Sequence, residues 1–226
     1  MINIGIPSKG RLKKGVLKIF KDNNLNLISE RGERDLFACI KKYKNIKIIY
    51  LHAREIIERL SDGSLDIGFS GYDLFKESST NIQKKIIVSN KYKFGNANLV
   101  LAVPDQWIDV QTIADLEEIA FILKEKKNKR LRVATKYPNL TREFLFSKGV
   151  TQFRLVDSLG ATESYPFTGS SEIISDISST GETLKANNLR VLIDGKILAS
   201  QACMLTSKSS LRRNDVKKFI RLLLKN

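Results

Sequence analysis

Between Lys47 and Leu74 the hydrophobic period of the chain changes repeatedly. "KIIYL" (Lys47 to Leu51) is a continuous apolar run of strand length. Ala53 to Leu60 places Ile56, Ile57 and Leu60 on one helical face, and "SDGS" (Ser61 to Ser64) is a turn. "LDIGF" (Leu65 to Phe69) is a strand again and passes through Ser70-Gly71 into a helix starting near Tyr72-Asp73. Strands separated by helices cannot close as hairpins and pair in parallel instead, so this β–α–β–α order requires an α/β fold with a largely parallel sheet.

The rest of the chain repeats the pattern. Ile2 to Pro7 reads as a strand, Ser8 to Arg11 as a loop, and Leu12, Val16, Ile19 and Phe20 recur at helical spacing. Strands are expected at Asn98 to Pro104, Leu131 to Ala134, Phe153 to Val156, Glu172 to Ile177, Val191 to Ile193 and Gln201 to Leu205. Helices are expected at Ile113 to Ala120, from Pro138 to a Gly149 cap, and at Asp215 to Lys225. "KYKFGNAN" (Lys91 to Asn98) suits a crossing between lobes. The expectation is lobe I over residues 1–95 plus 185–226 and lobe II over 96–184. A chain that crosses and returns leaves a cleft, where ligands usually bind.

Composition narrows the function classes. Of 226 residues, 42% are hydrophobic and 28% charged, as in ordinary globular proteins. No apolar run reaches the ~18 residues of a membrane span. "MINIGIPSKGRL" lacks the basic and apolar regions of a signal peptide. Cys39 and Cys203 are then expected to be reduced, buried thiols, and the protein cytoplasmic, without a membrane role. The formal charge of +15 favours anionic partners. Its densest cluster, "LKEKKNKRLR" (Leu123 to Arg132), comes without zinc spacing or an RNP-like aromatic motif, so it reads as solvated surface and not as a nucleic-acid site.

"EIISDISSTGETL" (Glu172 to Leu184) carries the chemistry. A strand brings Asp176 to its carboxyl end, and Ser178, Ser179, Thr180 and Gly181 turn into a helix. Gly181 permits a positive φ or a close backbone approach. Amides at a helix start favour an anion, and the hydroxyls, Thr183 included, add donors. Such a cup suits a phosphate monoester, while Asp176 can accept from the neutral hydroxyls of a ribose. An ordinary Ser/Thr-capped turn would look similar. No G-x-x-x-x-G-K-[ST] motif occurs in the chain. Lys9 and Arg11, between a strand end and a helix start, form a second place suited to an anion.

The stretch from Asp176 to Leu184 resembles the phosphoribosyl-pyrophosphate signature. Together with "PSKGRL" (Pro7 to Leu12), "DGSLDIGFSGYDL" (Asp62 to Leu74), "RVATKYPNLTREF" (Arg132 to Phe144) and "SLGATESYP" (Ser158 to Pro166), it resembles the ATP phosphoribosyltransferase family in its short form. The resemblance covers nearly the whole chain and implies two α/β lobes around a cleft, like type II periplasmic binding proteins. It implies transfer of phosphoribosyl to N1 of ATP with release of pyrophosphate, the first step of histidine biosynthesis. By the same resemblance, Ser178 to Thr183 would hold the 5-phosphate and Asp176 the ribose hydroxyls. Lys9 and Arg11 would face phosphates, and Ser70 and Gly71 would line the opposite wall of the cleft. Arg34 and Arg54 would stabilise the leaving pyrophosphate and orient ATP. Lys136 and Tyr137 would face the cleft, and Glu163 would touch the sugar. Mg²⁺ would ride on substrate phosphates, with no protein metal ligands. His52, the lone histidine, is given a structural role, because the adenine nitrogen needs no strong base.

Nothing remains after Asn226 for the long form's regulatory domain. A homodimer working with a catalytically inactive relative of histidyl-tRNA synthetase is therefore the implied assembly. Two rivals stay open on the sequence: a type I phosphoribosyltransferase, which should carry a second acid where Ile177 stands, and a non-enzymatic type II solute-binding protein, which should carry an export signal.

Overall fold

The computed structural model describes residues 1–29 and 35–224. In chain order they form β1 (Ile2–Pro7), α1 (Gly10–Asp22), β2 (Leu27–Ile28), β3 (Phe37–Ile40), β4 (Tyr43–Leu51), α2 (Ala53–Ser61), β5 (Ile67–Gly71), α3 (Tyr72–Glu77), α4 (Thr80–Lys85) and β6 (Ile86–Lys91). β7 (Ala97–Pro104), α5 (Ile113–Lys127), β8 (Leu131–Thr135), α6 (Pro138–Ser147), β9 (Phe153–Asp157), β10 (Ile173–Ser178), α7 (Glu182–Ala186) and β11 (Leu189–Ser200) follow. β12 (Ala202–Ser207) and α8 (Asn214–Leu223) close the chain. Short 3-10 turns span Thr162–Ser164 and Ser210–Arg212.

Two compact units result, Met1–Asn96 with Gln201–Asn226, and Ala97–Ser200. The return to the first unit lies at 200/201 and not at residue 185. β11 hydrogen-bonds along β7 from Leu189 opposite Pro104 to Ser200 opposite Ala97, and so belongs to the second sheet.

The first unit's sheet has the order β2-β3-β4-β1-β5-β12-β6. β1 runs parallel to β4 and β5, and β12 antiparallel to β5 and β6. Ile2, Ile4 and Ile6 share one face with Phe20, Phe69 and the apolar stripe of α8 (Val216, Phe219, Ile220, Leu223). The other face packs Ile56, Ile57 and Leu60 of α2 with Phe75, Cys203 and Leu205. Cys203 is buried, which pushes its thiol up to about 11. Cys39, expected to be buried too, is exposed, because it occupies an outward position of the alternating strand β3.

Gly5 and Gly68 are register partners on the α2 side of this sheet. A methyl on Gly5 would come 2.7 Å from Leu65 Cδ1, and one on Gly68 would collide with Ile56 Cγ2 and reach 3.0 Å from Leu60 Cδ1. The glycine pair is what lets α2 lie close to the strands. Gly68→Ala is expected to cost about 1–3 kcal/mol through overpacking, read as a lower urea midpoint at unchanged m.

The second sheet has the order β11-β7-β10-β8-β9, with β8, β9 and β10 parallel and β7 antiparallel to both its neighbours. Its central strands are buried on both faces, which explains their unbroken apolar runs. Leu101, Val103 and Ile173 face the α5–α6 core, whereas Val100, Ala102 and Ile174 face the core that holds Leu184 of α7. The basic run 123–132 is the carboxyl end of α5 and the start of β8. Lys124, Lys126 and Lys127 fall in the last turn, where cations complement the helix dipole, and Lys124 Nζ donates to the left-handed cap Asn128 at 2.7 Å. Arg132 is held by Glu172 at 2.6 Å and by the Gly169 carbonyl at 2.7 Å. No described helix is long and apolar enough to cross a membrane.

Candidate active site

In each unit the helices that follow neighbouring parallel strands leave on opposite faces of the sheet. After β8 the chain enters α6, whose Leu145 packs in one core; after the adjacent β10 it enters α7, whose Leu184 packs in the other. In the first unit β1 leads to α1 on one face, while its neighbours β4 and β5 lead to α2 and α3 on the other. Such switch points open a crevice at the carboxyl ends of the strands, where α/β sheets bind ligands. The site residues expected from sequence and described by the structure lie at these two edges.

At the second unit's edge, Asp176 follows Ile174 on the α7 side of β10 and is half-buried. Burial raises its carboxyl above the ordinary 3.8, with the charge of Glu163 adding to the rise. The Ile177 amide, the Lys136 charge and the Thr162 hydroxyl act the other way. The Ile177 N–H donates to Asp176 Oδ1 at 2.8 Å. Beyond β10, Gly181 takes φ +82°, a conformation that L-residues with a Cβ rarely adopt, and starts α7. The Gly181 amide donates to Ser178 Oγ at 3.1 Å and the Glu182 amide to Thr180 Oγ1 at 3.4 Å. A hydroxyl that accepts an amide hydrogen still has its own hydrogen to donate, so the turn keeps outward donors. Ser179, Thr180 and Thr183 are exposed. The helix is short, five residues, so the donors of the turn matter more than its dipole.

Lys136 sits just past β8, exposed, with Nζ donating to the Gly160 carbonyl at 2.6 Å. Glu163 lies in the 3-10 turn that packs on β10. Tyr137 is only 6% exposed; its amide donates to the buried Thr135 Oγ1 at 2.9 Å, and it precedes Pro138 at the start of α6. A chain of buried hydroxyls, Thr135, Thr141 and Ser175, ties β8, α6 and β10 together beneath this edge, the Thr141–Ser175 contact measuring 2.8 Å.

At the first unit's edge, Pro7 and Leu51 are register partners, so β1 and β4 end level. Lys9 and Arg11 are exposed at the start of α1, where Gly10 makes the turn at φ +81°. His52 caps α2, its Nδ1 accepting from the Arg54 amide at 3.3 Å, and Arg54 is exposed on the first turn. Ser70 and Gly71 are buried at the end of β5; the Ser70 hydroxyl donates to the Ala53 carbonyl at 2.8 Å and so ties β5 to α2. Arg34 lies outside the described residues. Two residues at the second edge were not singled out in the sequence, the buried Ser158 and Thr162, whose hydroxyls lie 2.8 Å apart. Small polar side chains in a Ser/Thr-rich loop carry no sequence signal that distinguishes them; their burial does.

Two doubly wound α/β units, each gathering polar groups at a strand-end switch point, define a small-molecule-binding α/β protein. The family model "HisG: ATP phosphoribosyltransferase" matches residues 52–225. A relative named ATP phosphoribosyltransferase from Nitrobacter winogradskyi is 44% identical over 98% of this chain and 68% of its own length. One of the same name from Mesorhizobium japonicum is 40% identical over 95% of this chain and 93% of its own length. The chain belongs to the ATP phosphoribosyltransferase family. Among solved structures, an ATP phosphoribosyl transferase (HisG:HisZ) complex from Thermotoga maritima matches with TM-score 0.76 and 27% identity, over 99% of this chain and 96% of that one. The fold alone is shared with solute-binding proteins such as an arginine-bound ArgBP from T. maritima, at TM-score 0.54 and 14% identity. The family match sets aside both rivals, the type I phosphoribosyltransferase and the solute-binding protein.

Proposed function

We infer that this chain transfers the phosphoribosyl group of phosphoribosyl pyrophosphate to N1 of ATP, releasing pyrophosphate, and so opens histidine biosynthesis. The observation that carries the reading is the end of β10 and the turn after it: one half-buried acid, Asp176, followed by a run of hydroxyls and a left-handed glycine, Gly181. Ser178, Ser179, Thr180, Gly181 and Thr183 are assigned to the 5-phosphate. Asp176 is assigned to the ribose hydroxyls, with Glu163 beside it, and Lys136 to a neighbouring phosphate. The buried Tyr137 is assigned the support of Lys136 and not a ligand contact. Lys9, Arg11, Arg34 and Arg54 are assigned to the pyrophosphate and to ATP, with Ser70 and Gly71 shaping the first unit's edge.

In the reaction the bond from the anomeric carbon to the pyrophosphate oxygen breaks and a bond to adenine N1 forms. Positive charge grows on the sugar and negative charge on the leaving group. Fixed cations stabilise the latter, and the N1 lone pair needs no base to attack. Mg²⁺, when present, neutralises pyrophosphate oxygens. The donor set favours its arrival on the substrate: Asp176, the acid at the loop, already feels the Lys136 charge, and hard phosphate oxygens are ordinary Mg²⁺ ligands. The Thermotoga structure is a HisG:HisZ complex, which supports a HisZ-like regulatory partner for this chain. We propose that this partner is a relative of histidyl-tRNA synthetase and that the catalytic chain is a homodimer. We place the protein in the cytoplasm.

Incubation with ATP, phosphoribosyl pyrophosphate and Mg²⁺ is expected to give the ultraviolet change of an N1-substituted adenine. Absence of product, alone and with such a regulatory subunit, overturns the reading.

A further inference from the structure

At the edge of the second sheet opposite the candidate active site, a cleft of about 420 Å³ opens where β8, β9 and β10 begin. Lys129, Arg130, Arg132 and Arg154 line it, and among the described residues Glu172 is the one carboxylate that does. Arg132 and Arg154 are register partners on the parallel strands β8 and β9, so two like charges stand side by side. The first is compensated. Glu172 accepts the Arg132 amide at 2.7 Å and its guanidinium at 2.6 Å and 3.0 Å, and the Gly169 carbonyl accepts from the same guanidinium at 2.7 Å. The second is not. Arg154, Arg130 and Lys129 are exposed, and among the described residues no carboxylate pairs with any of them.

The lining selects the class of ligand. Four cations face one carboxylate that is already engaged by Arg132, so the cleft is complementary to a multivalent anion. Guanidinium forks match phosphate oxygens through parallel N–H···O bonds. Arg132 is held in place by Glu172 and Gly169 and still has guanidinium hydrogens to donate. A donor fixed in advance loses less rotamer entropy when a ligand arrives. Asn128 faces the same cleft; its Oδ1 takes Lys124 at 2.7 Å, which leaves its amide hydrogens to donate. No aromatic ring is among the described lining residues, and Leu123 is the apolar one, so the cleft reads phosphate groups and not a base. Its volume falls within the roughly 300–1,000 Å³ of small-molecule sites. Lys129 and Arg130 belong to the basic run that reads as solvated surface in the sequence; what the fold adds is Arg154, brought beside them from another strand.

We propose that this cleft binds a small anion carrying two or more phosphate groups, at a site separate from the one that holds Asp176. Glu172 and Asp176 lie toward opposite ends of β10, roughly 13 Å apart at the rise of an extended strand. The site goes beyond the proposed reaction and does not depend on it.

Pyrophosphate titrated without Mg²⁺ into the ¹⁵N-labelled full chain is expected to shift the amides of residues 129–132, 154 and 172 along one saturable curve. Orthophosphate and AMP should follow the same curve at least about tenfold more weakly, since each brings one phosphate group and the base finds no partner. Arg154→Gln and Arg130→Gln, both at exposed positions, should each weaken pyrophosphate at these amides about tenfold, the size of one lost charged hydrogen bond. Lys126→Gln removes the same charge from the same basic run, outside the cleft, and should weaken it less than about twofold. Equal weakening by Lys126→Gln and Arg154→Gln means a diffuse positive field and overturns the site. Shifts confined to Ser178–Thr183 and the start of α1 put all binding at the candidate active site and also overturn it. AMP binding more tightly than pyrophosphate overturns the ligand class. None of these readouts uses turnover, so a failure of the proposed reaction would leave them unchanged.

Discussion

Asp176→Asn is expected to cut kcat/KM for phosphoribosyl pyrophosphate by about 10²–10³-fold while raising the melting temperature at neutral pH. The first effect follows from two lost charge-assisted hydrogen bonds to sugar hydroxyls, each worth about 1.5–3 kcal/mol, less what the neutral amide recovers. The affinity for ATP alone should stay within about twofold, because the loss is confined to the ribose contacts of the other substrate. The second effect follows from burial. The folded carboxyl titrates above its ordinary 3.8 because desolvation outweighs the Ile177 amide, Lys136 and Thr162. Between the ordinary value and the raised one, the folded chain holds more protons than the unfolded chain, so stability falls as pH rises through that window. Above it the ionised Asp176 is a net cost to folding that an uncharged asparagine removes. The stabilisation should therefore be present at about pH 7 and vanish near pH 3, below both titrations. Calorimetric titrations with each substrate and thermal melts at the two pH values check both halves. Equal loss of both ligands removes Asp176 from the ribose. A melt that does not rise at neutral pH removes the burial argument.

A residue that weakens the fold and serves the ligand is what sequence reasoning could see at this position, since an acid directly after Ile173-Ile174-Ser175 contradicts the strand around it. The central strands were legible for a related reason: β1, β5, β7, β8 and β10 are short apolar runs that end in turn residues. β11 was not. Its bulges between Val191 and Lys196 and between Lys196 and Leu198, on a partly exposed edge strand, destroy period two, so only Val191 to Ile193 stood out and the unit boundary was drawn too early. β2, at the sheet edge, and β3 beside it are short strands whose outward positions include Ile28, Phe37 and Cys39. Apolar side chains there imitate no recognisable alternation. In the site, the turn chemistry of Ser178 to Thr183 is local and could be read, whereas the burial of Ser70, Tyr137, Ser158 and Thr162 is a property of the folded unit that their residue types do not announce.

The second large effect concerns the fold beneath the first unit's site. Asp66→Ala is expected to cost about 3 kcal/mol of stability. Asp66 is 5% exposed just ahead of β5. Its Oδ2 accepts the Asn3 amide at 2.8 Å, and its Oδ1 accepts the Ser210 hydroxyl at 2.7 Å and the Arg213 guanidinium at 2.9 Å. One carboxylate thus joins β1, the start of β5 and the turn that leads into α8, whose apolar stripe covers the face of β1. Arg213 does not suffer most from the change: its side chain is 39% exposed and keeps Asp215 at 2.7 Å and the Met1 carbonyl at 2.9 Å. The loss arises from the Asn3 amide and the Ser210 hydroxyl, left without an acceptor at roughly 1–3 kcal/mol each. Arg213→Met should accordingly cost less, about 1 kcal/mol, as a half-exposed pair does. Urea unfolding followed by tryptophan-independent far-ultraviolet dichroism gives both values. Asp66→Ala should also speed hydrogen exchange in α8 before the rest of the first unit. If Arg213→Met proves the more damaging of the two, the ion pair and not the buried donors holds α8 to the sheet.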